Sequence, residues 1–389
     1  MAEPFKNLIS PATVQHMARH LGRTTPGFNA ERFQALALHQ QHELELKARI
    51  LRIADALTAT LPPDFSTACD AVEAALAPPL PLDEHGEPVT AGSALHAGGL
   101  AGWSIWALGE WVARVGVPLD VALWPRALAC LHALTQRSTA EFAIRPFLQA
   151  QPDRVWPTLM QWSRDPSAHV RRLASEGSRP RLPWGLRLHA LVADPSPSLP
   201  LLQALQDDPS RYVRRSVANH LNDIARDHPQ AVSDWLERHL PGASEPRRQL
   251  LRHASRGLIK AGHGPTLAVW GLGVPLQGQA RFSLDAAQAA IGSGIGLRLA
   301  LVSGADRPQA LEIDYAVHHA RPQGGHSVKV FKGWRCTLPA HATLTLDKRH
   351  SLREVTTRRL WPGAHRIELR INGQTVGEAG FELLPAAAP

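Results

Sequence analysis

Cysteine is scarce in this chain. Cys69, Cys130 and Cys336 are the three it has, and their wide separation fits no metal-ligand or redox spacing, so they are expected to be buried or incidental thiols. Long apolar runs are missing as well. None reaches membrane-spanning length, and the start Met1-Ala2-Glu3-Pro4-Phe5-Lys6 lacks the apolar core of a signal peptide. A soluble, cytoplasmic protein without a membrane partner is expected. Lysine is nearly absent from the middle of the chain, where Lys260 is the one lysine among 18 basic residues between positions 145 and 260. Arginine presents a planar, bidentate donor fork, which suits phosphate better than a point charge does.

What is present in that region is a repeat. Asp165-Pro166-Ser167-Ala168-His169-Val170-Arg171-Arg172 returns 43 positions later as Asp208-Pro209-Ser210-Arg211-Tyr212-Val213-Arg214-Arg215. In each copy Asp can cap a helix, Pro fits the first helical position, and Val-Arg-Arg falls in the first two turns. A weaker third copy places Leu251-Arg252-His253 38 residues further on. A period near 40 residues predicts a HEAT-like helical solenoid. The helix pairs expected are 155–163 with 168–176, 199–205 with 212–228, and 231–240 with 247–261, the second helices lying side by side.

Charge follows the same division. Residues 1–144 hold 10 Lys+Arg against 14 Asp+Glu, residues 145–260 hold 18 against 11, and the remainder 14 against 9. The basic excess belongs to the repeats and the C-terminal part. Arg171, Arg172, Arg214 and Arg215, repeated in register, predict a phosphate-gripping stripe and hence a nucleic-acid partner. The alternative for each arginine singly is a solvated face with local Asp partners.

Leu46, Ile50, Ile53 and Leu57 mark an amphipathic helix near the N-terminus. Residues 78–92, punctuated by Pro78, Pro79, Pro81, Gly86, Pro88 and Gly92, are expected to form a long loop. In the helix predicted over Trp103 to Val115, Trp103, Trp106, Ala107, Glu110 and Arg114 share a stripe, so a carboxylate lies beside two indoles. Glu110 paired with Arg114 is the plainer alternative. A further helix is expected to open at Ser138-Thr139-Ala140-Glu141. Glu141 either completes a capping box with Ser138 or, one turn from Arg145, enters a groove. The Gly/Pro-rich stretch Ser175 to Gly185 carries Arg179, Arg181 and Trp184, which could touch a backbone and a base, or else form a linker with Trp184 packed on the helices.

Composition changes near Gly262. Short alternating runs at 297–303, 310–318, 326–332, 342–346, 353–360, 365–371 and 374–383, with Asn372-Gly373 as a hairpin turn, predict an immunoglobulin-like β-sandwich. With no cysteine pair, its core alone must hold it. The fold class expected is therefore multidomain, α then β: a HEAT-like solenoid over 1–262, a linker over 263–280 and the sandwich over 281–389. Lys348, Arg349, Arg353, Arg358 and Arg359 make the sandwich basic.

The strings Glu141-Phe142-Ala143-Ile144-Arg145-Pro146-Phe147, Val170 to Trp184 and Asn219 to Pro229 resemble the AlkC branch of the AlkC/AlkD DNA alkylation-repair glycosylases over about residues 5–262. The resemblance implies hydrolysis of the N-glycosidic bond of N3-methyladenine and N3-methylcytosine in double-stranded DNA by a monomer that needs neither metal nor cofactor. It places Glu141 where the AlkD branch has the Asp of its catalytic Trp/Asp pair, and Arg171 and Arg172 at a phosphate-binding arginine. Glu110 is the second candidate carboxylate. At His220 the AlkD-like pattern has Trp, so the stacking role is not carried over; His220, Asn219 and Asp223 share one helix face as further DNA-contact candidates, alongside Trp103, Trp106, Arg145, Arg179, Arg181, Trp184, Arg214 and Arg215. The competing readings are a non-catalytic HEAT-repeat DNA-binding protein and a protein-interaction scaffold.

Overall fold

The computed structural model describes residues 5–89, 95–355 and 359–386. Residues 90–92 of the expected loop, and 356–358 of the expected strand at 353–360, lie outside these. The helices in chain order are α1 (Pro11–Thr24), α2 (Ala30–Leu38), α3 (Leu46–Thr60), α4 (Phe65–Ala74), α5 (Ser104–Gly116), α6 (Trp124–Thr135), α7 (Ile144–Ala150) and α8 (Pro152–Trp162). There follow α9 (Ala168–Gly177), α10 (His189–Ala193), α11 (Leu199–Leu205), α12 (Arg211–Ile224), α13 (Pro229–His239), α14 (Glu245–Ala254), α15 (Arg256–Ala261) and α16 (Gly264–Val269).

Compactness divides the chain into Met1–Asp227 with Ala243–Ala254, and His228–Gly242 with Ser255–Pro389. This grouping does not run along the expected boundary at Gly262. α13, α15 and α16 group with the strands, and the expected linker is folded, with Ile259, Leu267 and Leu272 forming a small core. The single helix expected over 247–261 is broken at Ser255, whose hydroxyl accepts a hydrogen bond from the Trp270 indole at 3.0 Å.

In the first unit α9 packs on α12 and α12 on α14, so the second helices of successive repeats lie side by side as expected. Val213, Val217, Leu221 and Ile224 form the apolar stripe of α12, all buried. Each such burial contributes about 1.5–3 kcal/mol. Ser167 and Ser210, not the aspartates, are the N-caps. Asp165 and Asp208 sit two residues earlier and each accepts the serine backbone N–H at 2.8 Å, which turns the chain into the helix. Cys69 and Cys130, remote in sequence, meet where α4 packs on α6, both buried and free.

The second unit contains β1 (Gly278–Leu284), β2 (Gln288–Ala290), β3 (Gly294–Ser303), β4 (Gln309–Ala320), β5 (His326–Leu338), β6 (Thr343–Ser351), β7 (Gly363–Ile371) and β8 (Gln374–Leu384). They form one sheet in the order β1-β3-β6 and another in the order β2-β8-β7-β4-β5, with β2 parallel to β8 and the other pairs antiparallel. Alternate residues Ile295, Leu297, Leu299 and Leu301 of β3 meet Leu311, Ile313, Tyr315 and Val317 of β4 in one core. Asn372 and Gly373 both have positive φ, 49° and 79°, as a two-residue hairpin turn with the strands' twist requires. β1 and β2 were not expected, and the described residues of 353–360 form no strand.

Candidate active site

A groove of about 570 Å³ opens in the first unit. Its walls come from the start of α5, the α6–α7 turn, the end of α9 and the loop that follows. Trp103 and Trp106, Glu141 and Phe142, Glu176 and Arg179, and Leu182 to Trp184 line it, together with Leu80 and His96. Trp106 stacks on Phe142 with ring centroids 4.6 Å apart and planes 22° from parallel. Gly109, one turn along α5, lets that helix approach the same turn closely, since a Cβ there would stand 3.1 Å from Ala143. Trp184 has φ of 62° and is 65% exposed, its indole edge against Phe5. It does not pack into the helices.

Glu141 does not form the capping box. α7 begins only at Ile144, and residues 141–143 are a turn. The Glu141 carboxylate accepts instead from the Thr139 hydroxyl at 2.6 Å and from Arg172 Nη1 at 2.6 Å, both through Oε2. Arg172 Nη1 also donates to Thr139 Oγ1 at 2.7 Å. Oε1 makes no hydrogen bond among the described residues, so one oxygen of a buried, oriented carboxylate is left for the groove.

Arg172 belongs to a chain of alternating charges. Its guanidinium lies 4.9 Å from the Tyr212 ring centre and reaches Glu176 through Nη2 at 3.5 Å. Glu176 receives Arg179 Nη1 at 2.6 Å and the Ser216 hydroxyl at 2.6 Å, and Arg179 continues to Asp223 at 2.8 and 3.1 Å. Burial opposes charge at Glu176, yet Arg172 and Arg179, with Ser216, hold its carboxyl below the usual range. Burial likewise works against Arg172, and Tyr212, Glu141 and Glu176 more than offset it.

Glu110 stands one turn beyond Trp106, half-buried and outside the groove lining. Arg114 pairs with Asp55 at 2.8 Å, not with Glu110. Burial pushes the Glu110 carboxyl up, and Arg114 and Lys47 offset this only in part.

The arginines expected on DNA are mostly engaged within the protein. Arg171 donates through Nε and Nη2 to Asp208 at 2.6 and 3.0 Å, and through Nη1 to the carbonyls of Asp165 and Pro166. Arg214 repeats the carbonyl contacts on Asp208 and Pro209. The first arginine of each copy therefore staples its own turn; Arg171 has its whole fork taken up in this way, whereas Arg214 uses Nη1 alone. Arg145 is wholly buried and donates to the carbonyls of Leu186, Gly177 and Arg179. Burial, then the Arg179 charge, lowers it to about 10. It clamps the loop that carries Trp184 and cannot reach a ligand.

Arg181 is paired bidentately with Asp227, and Arg215, 46% exposed, with Glu87 of the α4–α5 loop at 2.7 and 2.8 Å. His220 is also interior. Its Nδ1 lies 3.0 Å from the Ser175 carbonyl, and burial lowers it to about 3, so it is neutral. Asn219 meets His253 at 3.0 Å, and Asp223 is held by Arg179. His220 and Asp223 are buried against neighbouring elements, whereas Asn219 is half-buried beside His253.

Sequence reasoning missed Glu176, Tyr212 and Phe142. The i,i+4 spacing of Arg172 and Glu176 was a readable signal for the first. Arg187 was missed too; it is exposed in the Trp184 loop and its side chain has no partner among the described residues.

Residues 124–258 match the family described as DNA alkylation repair enzyme, and residues 279–385 the C-terminal Ig-like domain of the uncharacterised protein YhaZ. The Bacillus subtilis (strain 168) protein YhaZ, itself uncharacterized, is 33% identical over 380 residues, covering 97% of this chain and 99% of its own. The Pseudomonas fluorescens alkylpurine DNA glycosylase AlkC, solved bound to DNA containing an abasic site analog, is similar with a TM-score of 0.86 and 33% identity, over 98% of this chain and all of its own. Among the described residues no helix is long and apolar enough to cross a membrane.

Proposed function

The chain belongs to the AlkC-type family of DNA alkylation repair enzymes with a C-terminal Ig-like domain, and from that premise we propose that it is a DNA glycosylase releasing N3-methyladenine and N3-methylcytosine from duplex DNA. The observation that carries this reading is Glu141, a carboxylate fixed by Arg172 and Thr139 through one oxygen, with the other free in a groove walled by Trp103, Trp106, Phe142 and Trp184.

Such bases carry a formal positive charge. When the C1′–N bond breaks, the bonding pair leaves with the base, which becomes neutral without needing a general acid. The deoxyribose is left as an oxocarbenium-like cation. The free oxygen of Glu141 stabilises that charge and orients the water that adds at C1′. Water addition releases a proton, which the Glu141 carboxylate that orients this water accepts; Glu110, half-buried one turn from Trp106 and outside the groove lining, is left without a step. The indole and phenyl faces add cation–π attraction to the charged base and sugar, worth on the order of 1–2 kcal/mol when water is excluded. The phosphate contacts fall to exposed arginines such as Arg187 in the loop after α9 and, once Glu87 yields it, Arg215.

The test is incubation of the full chain with duplex DNA carrying N3-methyladenine or N3-methylcytosine, followed by quantitation of free base and abasic sites. Release with both is the expected outcome. A chain that binds the duplex yet releases neither base would be a non-catalytic member.

A further inference from the structure

Two carboxylates line the groove, and they differ in what their oxygens have left to offer. Both oxygens of Glu176 are taken, Oε1 by Arg179 and Oε2 by Ser216, each at 2.6 Å. Glu141 is held through Oε2 alone. Arg172 stands between them with two terminal nitrogens, Nη1 on Glu141 and Nη2 turned to Glu176 Oε1. The Tyr212 ring covers its guanidinium.

A guanidinium beside one carboxylate prefers the two-oxygen, fork-to-fork arrangement, because parallel N–H donors match parallel acceptors. Arg172 does not take that arrangement here: Nη1 is shared between Glu141 Oε2 and Thr139 Oγ1, and Nη2 is turned 3.5 Å from Glu176 Oε1. We propose that Glu176 is a positioning residue that confines Arg172 to a single oxygen of Glu141 and so keeps Oε1 available to the sugar. Glu176 itself does not touch substrate. Its ionised state is maintained by Arg172 and Arg179, and its orientation by Ser216, which α12 supplies from the next repeat. The helix duplication thus reaches the active centre through a hydroxyl. This inference rests on the glycosylase reading and adds to it the device that keeps the acting oxygen free.

The test is single-turnover base release by the full chain carrying Glu176→Gln, with binding to abasic-site DNA and thermal unfolding measured on the same protein. The neutral amide attracts Nη2 less than the carboxylate did, Arg172 closes on both oxygens of Glu141, and release slows about 10- to 100-fold, as sub-ångström misplacement of a reacting group does. DNA affinity stays within about threefold, since the groove rim is unchanged. The discriminating step adds Arg172→Lys. Lysine is a point donor that cannot chelate two oxygens, so it lowers the rate of the parent protein but raises that of the Glu176→Gln variant by at least about threefold. Should Glu176→Gln fold poorly, Ser216→Ala loosens the same carboxylate and gives the same ordering at smaller size.

Opposite effects of Arg172→Lys in the two backgrounds support the proposal. Equal base release by the parent and Glu176→Gln overturns it, as does a Glu176→Gln defect that Arg172→Lys deepens. A parent chain that releases no base overturns both this inference and the glycosylase reading, whereas an active parent with an unaffected variant overturns this inference alone.

Discussion

Replacing Arg171 by alanine separates a structural arginine from a phosphate-binding one. The side chain is 14% exposed, that of Asp208 4%, and four hydrogen bonds leave the guanidinium: two to the Asp208 carboxylate and two to the carbonyls of Asp165 and Pro166. Truncation leaves a buried carboxylate with only the Ser210 backbone N–H. Removing one partner of a buried pair costs about 3–5 kcal/mol. For a unit of this size each kcal/mol moves Tm by about 2–4 °C, so a fall of about 6–20 °C is expected. The double change Arg171→Met with Asp208→Leu should recover much of it, because an apolar pair of similar volume leaves no orphan charge. Thermal unfolding of the full chain reads this directly, and DNA affinity measured across salt concentrations supplies the contrast. An arginine on phosphate would leave Tm nearly unmoved while flattening the salt slope by about 0.9; that result would refute the staple.

Two further outcomes follow from the packing around the groove. His220 is neutral when folded, lowered to about 3 from 6.5. Its contribution is complete above pH 6.5 and is lost as pH falls toward 3, at about 1.4 kcal/mol per unit. Between pH 6.5 and 5 the parent should lose about 2 kcal/mol more than His220→Gln by denaturant unfolding, and parallel losses would contradict the burial argument. A Cβ at Gly177 would stand 2.3 Å from Ile144 Cγ2 and 3.7 Å from the Glu141 carbonyl. Gly177→Ala should therefore destabilise by about 1–3 kcal/mol and slow base release more than it weakens DNA binding; an alanine variant with parent-like Tm and rate would show that the turn can give.

The repeat was legible in the sequence, and so was the side-by-side packing of α9, α12 and α14. Where its first arginines turn was not legible, for a physical reason. The eight-residue motif contains both an acid and two arginines, and stacking the copies places Asp208 of one against Arg171 of the other. Periodicity reveals that residues recur in register, but not whether a donor faces solvent or the acid of the next copy. The same blindness explains Arg145, whose position one turn from Glu141 was right while its direction, into the loop backbone, was invisible. Glu141 was legible only as an alternative, since Ser138 at capping-box spacing offered a local partner and the true partner, Arg172, is supplied by the following repeat. The core strands of the sandwich were readable because buried and exposed residues alternate along β3 and β7. β1 and β2 were not, being short and largely exposed edge strands with little apolar contrast. The break at Ser255 rests on the Trp270 indole, a tertiary contact no helix propensity anticipates.

The central claim is that Glu141 stabilises the sugar cation, and single-turnover release of N3-methyladenine by the parent and by Glu141→Gln tests it most directly. Glutamine keeps the shape and loses the charge, so release should fall about 10²- to 10³-fold while affinity for abasic-site DNA is retained. Base release by Glu141→Gln at the parent rate would contradict the account.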